Sequence, residues 1–225
     1  MRVLAVDTTT PDGSVAVVEG PRVLAELAVR SASTHSARLL ASVHFLLEAL
    51  SLDVRSLDGF AVAPGPGSFT GIRIGMSTVK ALAFASGKPV AAVSSLAALA
   101  FRLSDGGPRW VAPVLDAKKG EVYASLADAS VGMETVVPEG AYAPVEFLRR
   151  VGSRRTILFG GGGAELFRPL IEERMGARAR FSLRPPFIAA EVGLLGVRIL
   201  QEGRGTTAES LEPLYYRSSQ AEETR

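Results

Sequence analysis

The chain has 225 residues, of which 47% are hydrophobic and 21% are charged, with 25 basic side chains against 23 acidic ones. This composition excludes a disordered chain, and a net charge of +2 is too small for binding nucleic acid by charge alone. The absence of cysteine excludes thiolate metal sites, a cysteine nucleophile and disulfides. No apolar run approaches the roughly 20 residues of a membrane helix, and the N-terminal one is too short for a signal peptide. We therefore expect a cytoplasmic protein without membrane contact.

The first hundred residues predict three strands followed by a helix, a strand, a helix, a strand and a short helix. Turn residues separate three β-branched runs, which predicts a meander of strands at Val3–Asp7, Ser14–Val18 and Val23–Val29. The first helix is expected after Ser33 or Thr34, with an apolar stripe facing a sheet, made of Leu39, Leu40, Val43, Leu46, Leu47 and Leu50. The remaining elements are a strand at Gly59–Ala63, a helix from about Gly71 to Ala85, a strand at Val90–Val93 and a short helix ending at Phe101.

The rest of the chain predicts the same order of elements again. Strands are expected at Trp110–Leu115, Glu121–Leu126, Val131–Val137 and Thr156–Phe159, and helices near Val145–Val151, at Ala164–Met175 and at Ala189–Gln201. The breaker-rich segment 104–108 is the predicted boundary. We therefore expect an α/β protein of two stacked lobes with a cleft between them. The lobes are residues 1–103, joined by the last helix at about 189–202, and residues 104–188, followed by a C-terminal tail at 203–225.

The two histidines predict no metal site. His35 and His44 lie nine residues apart on one predicted helix, and about 100° of rotation per residue places them on opposite sides. Metal-binding histidine pairs on a helix are spaced within one turn. We expect no bound metal and no cofactor.

A glycine-rich loop containing Gly65, Gly67 and Gly71 lies between a predicted strand and a predicted helix. Backbone N–H groups and the helix dipole at such a place can hold an anion. The loop lacks the Gly-Lys-Ser/Thr ending of a Walker loop, and its glycine spacing differs from the dinucleotide fingerprint. We favour a tight turn with close helix packing over an anion site.

Three further segments, each following a predicted strand, outline a nucleotide-type site. They contain Asp7 and Thr8, then Asp116, then Gly161 and Gly162. A carboxylate at a strand end can position magnesium through water, and glycines allow the backbone to approach a nucleotide closely. Each segment also fits an ordinary turn, and we identify no catalytic residue.

A basic cluster surrounds a Gly-Ser turn and contains Arg149, Arg150, Arg154 and Arg155. Such a cluster suits a phosphate contact, but solvated surface charge is the favoured interpretation.

The first two long helices carry apolar residues on faces that the core does not need. On the first helix, Phe45 lies opposite the leucine stripe and is flanked by Arg38, Ala41, Ser42 and Ala49. On the second helix they are Ile74, Ala81, Phe84 and Ala85. A helix that is apolar on two sides is buried on two sides, against either this chain or a partner.

Five segments resemble the bacterial TsaB family, also called YeaZ. They are Val3–Thr10, Thr34–Ser36, Gly65–Gly75, Asp116–Tyr123 and Pro213–Arg217. The resemblance covers nearly the whole chain, and its most specific part is the run Gly-Pro-Gly-Ser-Phe-Thr-Gly at residues 65–71.

The resemblance implies the ribonuclease H-like fold that actin, hexokinase and Hsp70 share. It implies a non-catalytic subunit that acts with a catalytic relative, TsaD, and an ATPase, TsaE. Together they transfer a threonylcarbamoyl group to the adenosine beside the anticodon of tRNA, so tRNA is reached through the complex. It also implies that the first two long helices bind the partner. The catalytic relative carries metal-binding histidines after the strand that matches Val90–Val93, whereas Ser94–Leu99 here contains none.

Other functions remain open at this point. An actin-fold phosphotransferase would use Asp7 and Asp116 around magnesium–ATP. Direct tRNA binding would use the arginine cluster. For the scaffold we also expect self-association through the partner-binding helices when the chain is alone.

Overall fold

The computed structural model describes residues 1–30, 35–105, 107, 109–154 and 156–216. The chain divides into two compact units. The first contains Met1–Ser95 and Phe187–Tyr215, and the second contains Leu96–Pro186 with Tyr216. Within the described residues, no helix has the length and apolar character needed to cross a membrane. The predicted cap residues Ser33 and Thr34, together with Arg155 and residues 217–225, lie outside the described part of the chain.

The first unit is built on a five-stranded sheet in the order β3-β2-β1-β4-β5. Its strands are β1 (Arg2–Asp7), β2 (Asp12–Glu19), β3 (Arg22–Arg30), β4 (Gly59–Val62) and β5 (Val90–Ala92). The first three form an antiparallel meander, and β4 and β5 continue parallel to β1. Its helices are α1 (His35–Ala49), α2 (Phe69–Ser86) and α7 (Ala189–Gln201).

Helices cover both faces of this sheet. Leu4 and Val6 of β1 share a buried core with residues of α1 and α2. Because side chains alternate along a strand, the residues next to Leu4 and Val6 point to the opposite face of the sheet, where α7 packs. A Cβ on Gly196 of α7 would meet the Cβ of Ala61 at 2.6 Å, so glycine lets this helix lie close to the strands.

The second unit repeats the same topology in a sheet of order β10-β9-β6-β7-β8. Its strands are β6 (Trp110–Lys118), β7 (Glu121–Asp128), β8 (Glu134–Tyr142), β9 (Ile157–Gly160) and β10 (Ala179–Phe181). A meander is again followed by strands parallel to its first member. The helices are α3 (Ser95–Ser104), α4 (Pro144–Val151), α5 (Gly162–Leu166) and α6 (Arg168–Met175). The predicted repeat of element order is present.

Four details differ from the sequence predictions. The helix predicted at Ala164–Met175 is two helices divided at Phe167, with Pro169 in the first turn of α6, where its missing N–H costs nothing. The short strand β10 was not predicted. Leu40 is exposed rather than part of the core stripe, because it lies at the edge of the α1 arc that faces the sheet.

Helix α3 is the fourth difference. All but its first residue falls in the second unit, whereas the predicted boundary followed residue 103. Leu99 and Leu103 pack close to Gly161 and Gly160 at the end of β9, and these contacts join α3 to the second sheet.

Candidate functional site

The loop before α2 holds the start of that helix against the end of β1. Ser68 caps the helix by accepting a hydrogen bond from the Gly71 N–H at 3.3 Å, and its own N–H donates to the Thr9 carbonyl at 2.6 Å. The Thr8 hydroxyl donates to the Gly71 carbonyl at 2.7 Å. A Cβ on Gly71 would overlap the Thr8 carbonyl oxygen, and one on Gly67 would overlap that of Thr9. The lack of a side chain at Gly67 and Gly71 therefore allows the loop and the start of α2 to lie close to the end of β1.

Asp7 is fully buried at the end of β1. Its Oδ1 accepts the Thr9 N–H at 2.9 Å and the Thr9 hydroxyl at 2.7 Å. A carboxylate that bonds the backbone two residues later is the usual geometry of an Asx turn. The predicted residues Asp7, Thr8, Gly67 and Gly71 thus meet at one turn of the first unit.

In the second unit, Asp116 is engaged by its own hairpin. The Lys118 N–H donates to its Oδ1 at 2.8 Å, and the Lys118 ammonium pairs with its Oδ2 at 2.6 Å. Lys118 and Lys119 both have a positive φ, of 62° and 52°, which is uncommon for side chains other than glycine, asparagine and aspartate. The charge of Asp116 is therefore balanced within the β6–β7 turn.

The glycine run after β9 has two different roles. Gly161 has a φ of 100°, and a Cβ there would overlap the Val114 carbonyl oxygen. Gly162, which opens α5, faces open space with no atom within 4 Å of an added Cβ. Packing therefore explains Gly161, and nothing in the structure requires glycine at position 162. Among the described residues, no group of three or more histidine and carboxylate side chains is arranged to hold a metal ion.

The outer face of α1, for which the sequence left burial against this chain or against a partner open, is exposed in the structure. Its inner face buries Leu39, Val43 and Leu46 in the core of the first unit. Phe45 on the outer face is 60% exposed. The predicted neighbours of Phe45 divide into exposed and half-buried residues: Arg38, Ala41 and Ala49 are exposed, and Ser42 is half-buried.

The outer face of α2 carries a second exposed ring. Phe84 is 75% exposed, and Ala81 and Ala85 beside it are also exposed. Ile74, predicted for the same face, is half-buried against the core of its own unit, so it adds less exposed surface than expected. Helices α1 and α2 contact each other.

One feature of α2 was not predicted from the sequence. The Phe69 ring stacks on Tyr215 at a centroid distance of 5.2 Å, and the Arg73 guanidinium lies 3.7 Å from the Phe69 centroid. The Leu214 N–H also donates to the Pro64 carbonyl at 2.9 Å. The C-terminal segment therefore lies along the loop that begins α2. Sequence periodicity gives no signal for a contact between such distant segments.

Comparison with known proteins places the chain in a family. Residues 26–154 match the family of the tRNA N6-adenosine threonylcarbamoyltransferase TsaD. A curated relative from Bacillus subtilis (strain 168), named tRNA threonylcarbamoyladenosine biosynthesis protein TsaB, is 33% identical over 232 residues. That similarity covers 99% of this chain and 96% of the relative. The chain belongs to the TsaB family. The family resemblance read from the five sequence segments is confirmed.

Solved structures agree with this assignment. A Pseudomonas aeruginosa protein described as similar to peptidase YeaZ superposes with a TM-score of 0.80 at 32% identity. The superposition covers 96% of this chain and 99% of that one. The ROK hexokinase of Thermus thermophilus superposes with a TM-score of 0.50 at 12% identity, over 90% of this chain and 100% of that one. The second likeness concerns the fold alone, and it confirms the predicted actin- and hexokinase-like class.

Proposed function

We propose that this chain takes part in tRNA threonylcarbamoyladenosine biosynthesis as a non-catalytic subunit that binds a catalytic relative of the TsaD type. Similarity to a curated TsaB along nearly the full chain supports the pathway. The observation that carries the binding role is the exposure of Phe45 and Phe84 on two helices that contact each other.

These two rings are not needed for the fold. The inner faces of α1 and α2 already bury Leu39, Val43, Ile72 and Val79 in the core of the first unit. A single exposed apolar residue is ordinary, but aromatic rings among small residues on neighbouring helices are typical of a partner surface. Aromatic residues also dominate the binding energy of protein interfaces.

The proposed partner can present a matching surface. The similarity to TsaD spans residues 26–154, which include both α1 and α2. A relative of that family therefore has counterparts of both helices. Two helices from each protein then pack as a four-helix bundle, in which Ala41, Ala49, Ala81 and Ala85 permit close approach.

The family resemblance supports the remaining parts of the proposal. Catalysis belongs to the relative, since the segment Ser94–Leu99 supplies no histidine where that relative carries its metal ligands. A TsaE-type ATPase joins the same complex, and the tRNA is modified in that complex. In the absence of the relative, the chain forms a homodimer through the same helices.

Capture of the catalytic subunit tests this proposal. The TsaD of the same organism is co-expressed with the tagged chain, and we expect recovery in equal amounts. Phe45→Glu places a charge at the centre of the interface and should abolish capture, while circular dichroism and melting stay unchanged. Leu166→Glu is the matched control, because Leu166 is 58% exposed in the second unit, and it should capture normally.

Activity gives the second test of the same proposal. Threonylcarbamoyl transfer to tRNA is measured with the catalytic subunit and the ATPase, with and without this chain. We expect activity only when the wild-type chain or Leu166→Glu is present. Full capture and activity with a folded Phe45→Glu variant would contradict the assignment of the surface. Transfer that is unaffected by omitting the chain would contradict its role.

A further inference from the structure

The second unit concentrates positive charge in one part of its sequence. Residues 144–184 contain nine arginines and four glutamates, with no lysine and no aspartate. The whole chain carries a net charge of only +2, so this segment is a local excess. Eight of these arginines belong to the described residues, and their positions in the fold decide what the excess charge can do.

Topology brings two of these arginines to one end of the second sheet, at the starts of its parallel strands. Strands β6, β9 and β10 are neighbours and run parallel, with Trp110, Ile157 and Ala179 in register at their N-terminal ends. Arg178 directly precedes β10, and Arg154 lies three residues before β9. Adjacent strands are about 4.8 Å apart, so the starts of the three strands lie within about 10 Å of one another.

Hydrogen bonds from Arg178 join its guanidinium to the backbone of the segments that carry Arg154 and Arg174. One Nη of Arg178 donates to the carbonyls of Gly152 and Arg154 at 3.3 and 3.5 Å, and its other Nη donates to the Arg174 carbonyl at 3.5 Å. Arg154 donates to the Val151 carbonyl. Its guanidinium also lies 5.3 Å from the centroid of the Trp110 ring. We call Arg154, Arg174 and Arg178 the arginine edge.

The arginine edge differs from its surroundings in lacking acidic partners. Arg149 and Arg150 both pair with Glu146, and Arg109 pairs with Asp128. Within the described part of the chain, Arg154, Arg174 and Arg178 form no ion pair. The guanidinium of Arg178 contacts backbone carbonyls, and that of Arg154 contacts a carbonyl and an aromatic ring. Arg154 and Arg178 are half-buried, so their charges are partly removed from water, with carbonyl oxygens and an aromatic ring beside them but no carboxylate of the described residues within ion-pair distance. Such a group gains most from an anion.

We propose that the arginine edge binds the phosphate backbone of tRNA. The choice of tRNA as the polyanion rests on the proposed function, whereas the preference for phosphate rests on the arginines themselves. The planar guanidinium fork matches phosphate oxygens in pairs, and arginine is the preferred residue for such contacts. Arg154 and Arg178 lie just before the starts of two neighbouring strands and Arg174 lies in the last turn of α6, an arrangement that suits a chain of phosphates better than a single small anion. Contacts of this kind position the RNA and carry no sequence information.

Binding of unmodified tRNA to the purified chain tests the proposal. About three phosphate contacts predict that the logarithm of the affinity falls with the logarithm of the salt concentration with a slope of roughly 2 to 3. The affinity should then decrease about 30-fold between 50 and 200 mM salt. The same titration is carried out on the complex with the catalytic subunit, which supplies the protein in its proposed working form.

A double variant with a matched control isolates the edge. Arg154→Ala with Arg174→Ala should weaken tRNA binding and reduce the salt slope by about 2 in both titrations. Arg22→Ala with Arg55→Ala removes the same charge from exposed positions of the first unit and should leave both quantities unchanged. Because Arg154 also bonds the backbone, the single variant Arg174→Glu is included. It changes an exposed side chain and should weaken binding with unchanged melting.

The outcomes separate this proposal from the proposed function. Equal tRNA affinity and salt slope for wild type, Arg174→Glu and both double variants would overturn the arginine edge. The edge variants should still capture the catalytic subunit, because α1 and α2 are untouched. In a third outcome, the wild-type chain captures no catalytic subunit, but the single variant Arg174→Glu binds tRNA more weakly than the wild type. The proposed function would then fail, and the arginine edge would stand as an RNA-binding surface.

Discussion

Gly71 sets the distance between helix α2 and strand β1. A Cβ at this position would overlap the Thr8 carbonyl oxygen, and neither backbone can move without disturbing the Thr8 hydroxyl bond to Gly71. We expect Gly71→Ala to lower the free energy of unfolding by about 2 kcal/mol, although alanine is the better helix former. Urea denaturation measures the change.

Gly162→Ala provides the control for this substitution. It adds the same methyl group at a helix start that faces open space, so its unfolding free energy should stay within about 0.5 kcal/mol of wild type. Equal stabilities of the two variants would contradict the close-packing role of Gly71.

The pair of Arg109 and Asp128 predicts an acid dependence of stability. The side-chain hydrogen bond from Arg109 holds the pKa of Asp128 at about 2, with further help from Ser130. The pKa of an unperturbed aspartate is near 3.8, so the stabilisation from this ionised group is present above about pH 4 and is lost as the pH falls toward 2. Asp128→Asn should therefore be less stable at pH 7, but should lose less stability than wild type between pH 4 and pH 2.

Glu146 is the comparison for this experiment. Hydrogen bonds from Arg149 and Arg150 lower its pKa to about 2 as well, but its side chain is 35% exposed, against 3% for Asp128. Solvent screening weakens exposed ion pairs. Glu146→Gln should therefore change the loss of stability between pH 4 and pH 2 less than Asp128→Asn does. Chemical denaturation at several pH values measures both, and a larger effect for Glu146→Gln would contradict this account.

At the scale of elements, a long and continuous pattern in the sequence predicted one helix correctly, whereas a short pattern left one strand unpredicted. Helix α7 was predicted at Ala189–Gln201, where it is found, because its apolar spacing is continuous. Strand β10 was missed because three residues give too short a pattern and its pairing with β9 is a tertiary property. The exposure of Phe45 followed from its angle on α1, whereas the half-burial of Ile74 depends on neighbouring elements.

The candidate site was also predictable in part. The glycine-rich loop was predicted to be a tight turn with close helix packing because it lacks the lysine of a phosphate loop, and two of its glycines do lie in close contact with the backbone after β1. The pairing of Asp116 with Lys118 was not predicted, since it depends on the left-handed backbone at Lys118. The stack of Phe69 on Tyr215 joins residues far apart in sequence, which only the folded chain brings together.

The C-terminal segment contributes an element-scale prediction. Residues 203–216 were expected to be a tail, yet Leu211 is 1% exposed and belongs to the core of the first unit. Leu211→Ala should lower the unfolding free energy by about 2–4 kcal/mol through lost burial and the cavity it leaves. Leu183→Ala removes the same atoms from a side chain that is 94% exposed and should change little. Thermal unfolding of the two variants gives the comparison, and equal melting temperatures would place Leu211 outside the core.

At the scale of the whole molecule, one topology serves two units that carry different surfaces. Both sheets place a three-stranded meander beside two parallel strands. The first unit exposes aromatic rings on α1 and α2, and the second carries arginines without an ion-pair partner among the described residues near the start of its parallel strands. The two surfaces that we propose thus differ in their chemistry, apolar in the first unit and electrostatic in the second, although the sheets share one topology.

The apolar surface predicts competition between two assemblies. If the homodimer and the complex with the catalytic relative use the same helices, a molecule engaged in one cannot join the other. Sedimentation velocity should show concentration-dependent self-association of the wild-type chain, and Phe84→Glu should weaken it by at least about 2 kcal/mol, because a charge would be buried without a partner. Addition of the catalytic subunit should convert the homodimer into the mixed complex in proportion to the amount added. A homodimer that persists beside bound catalytic subunit would show that the two assemblies use different surfaces.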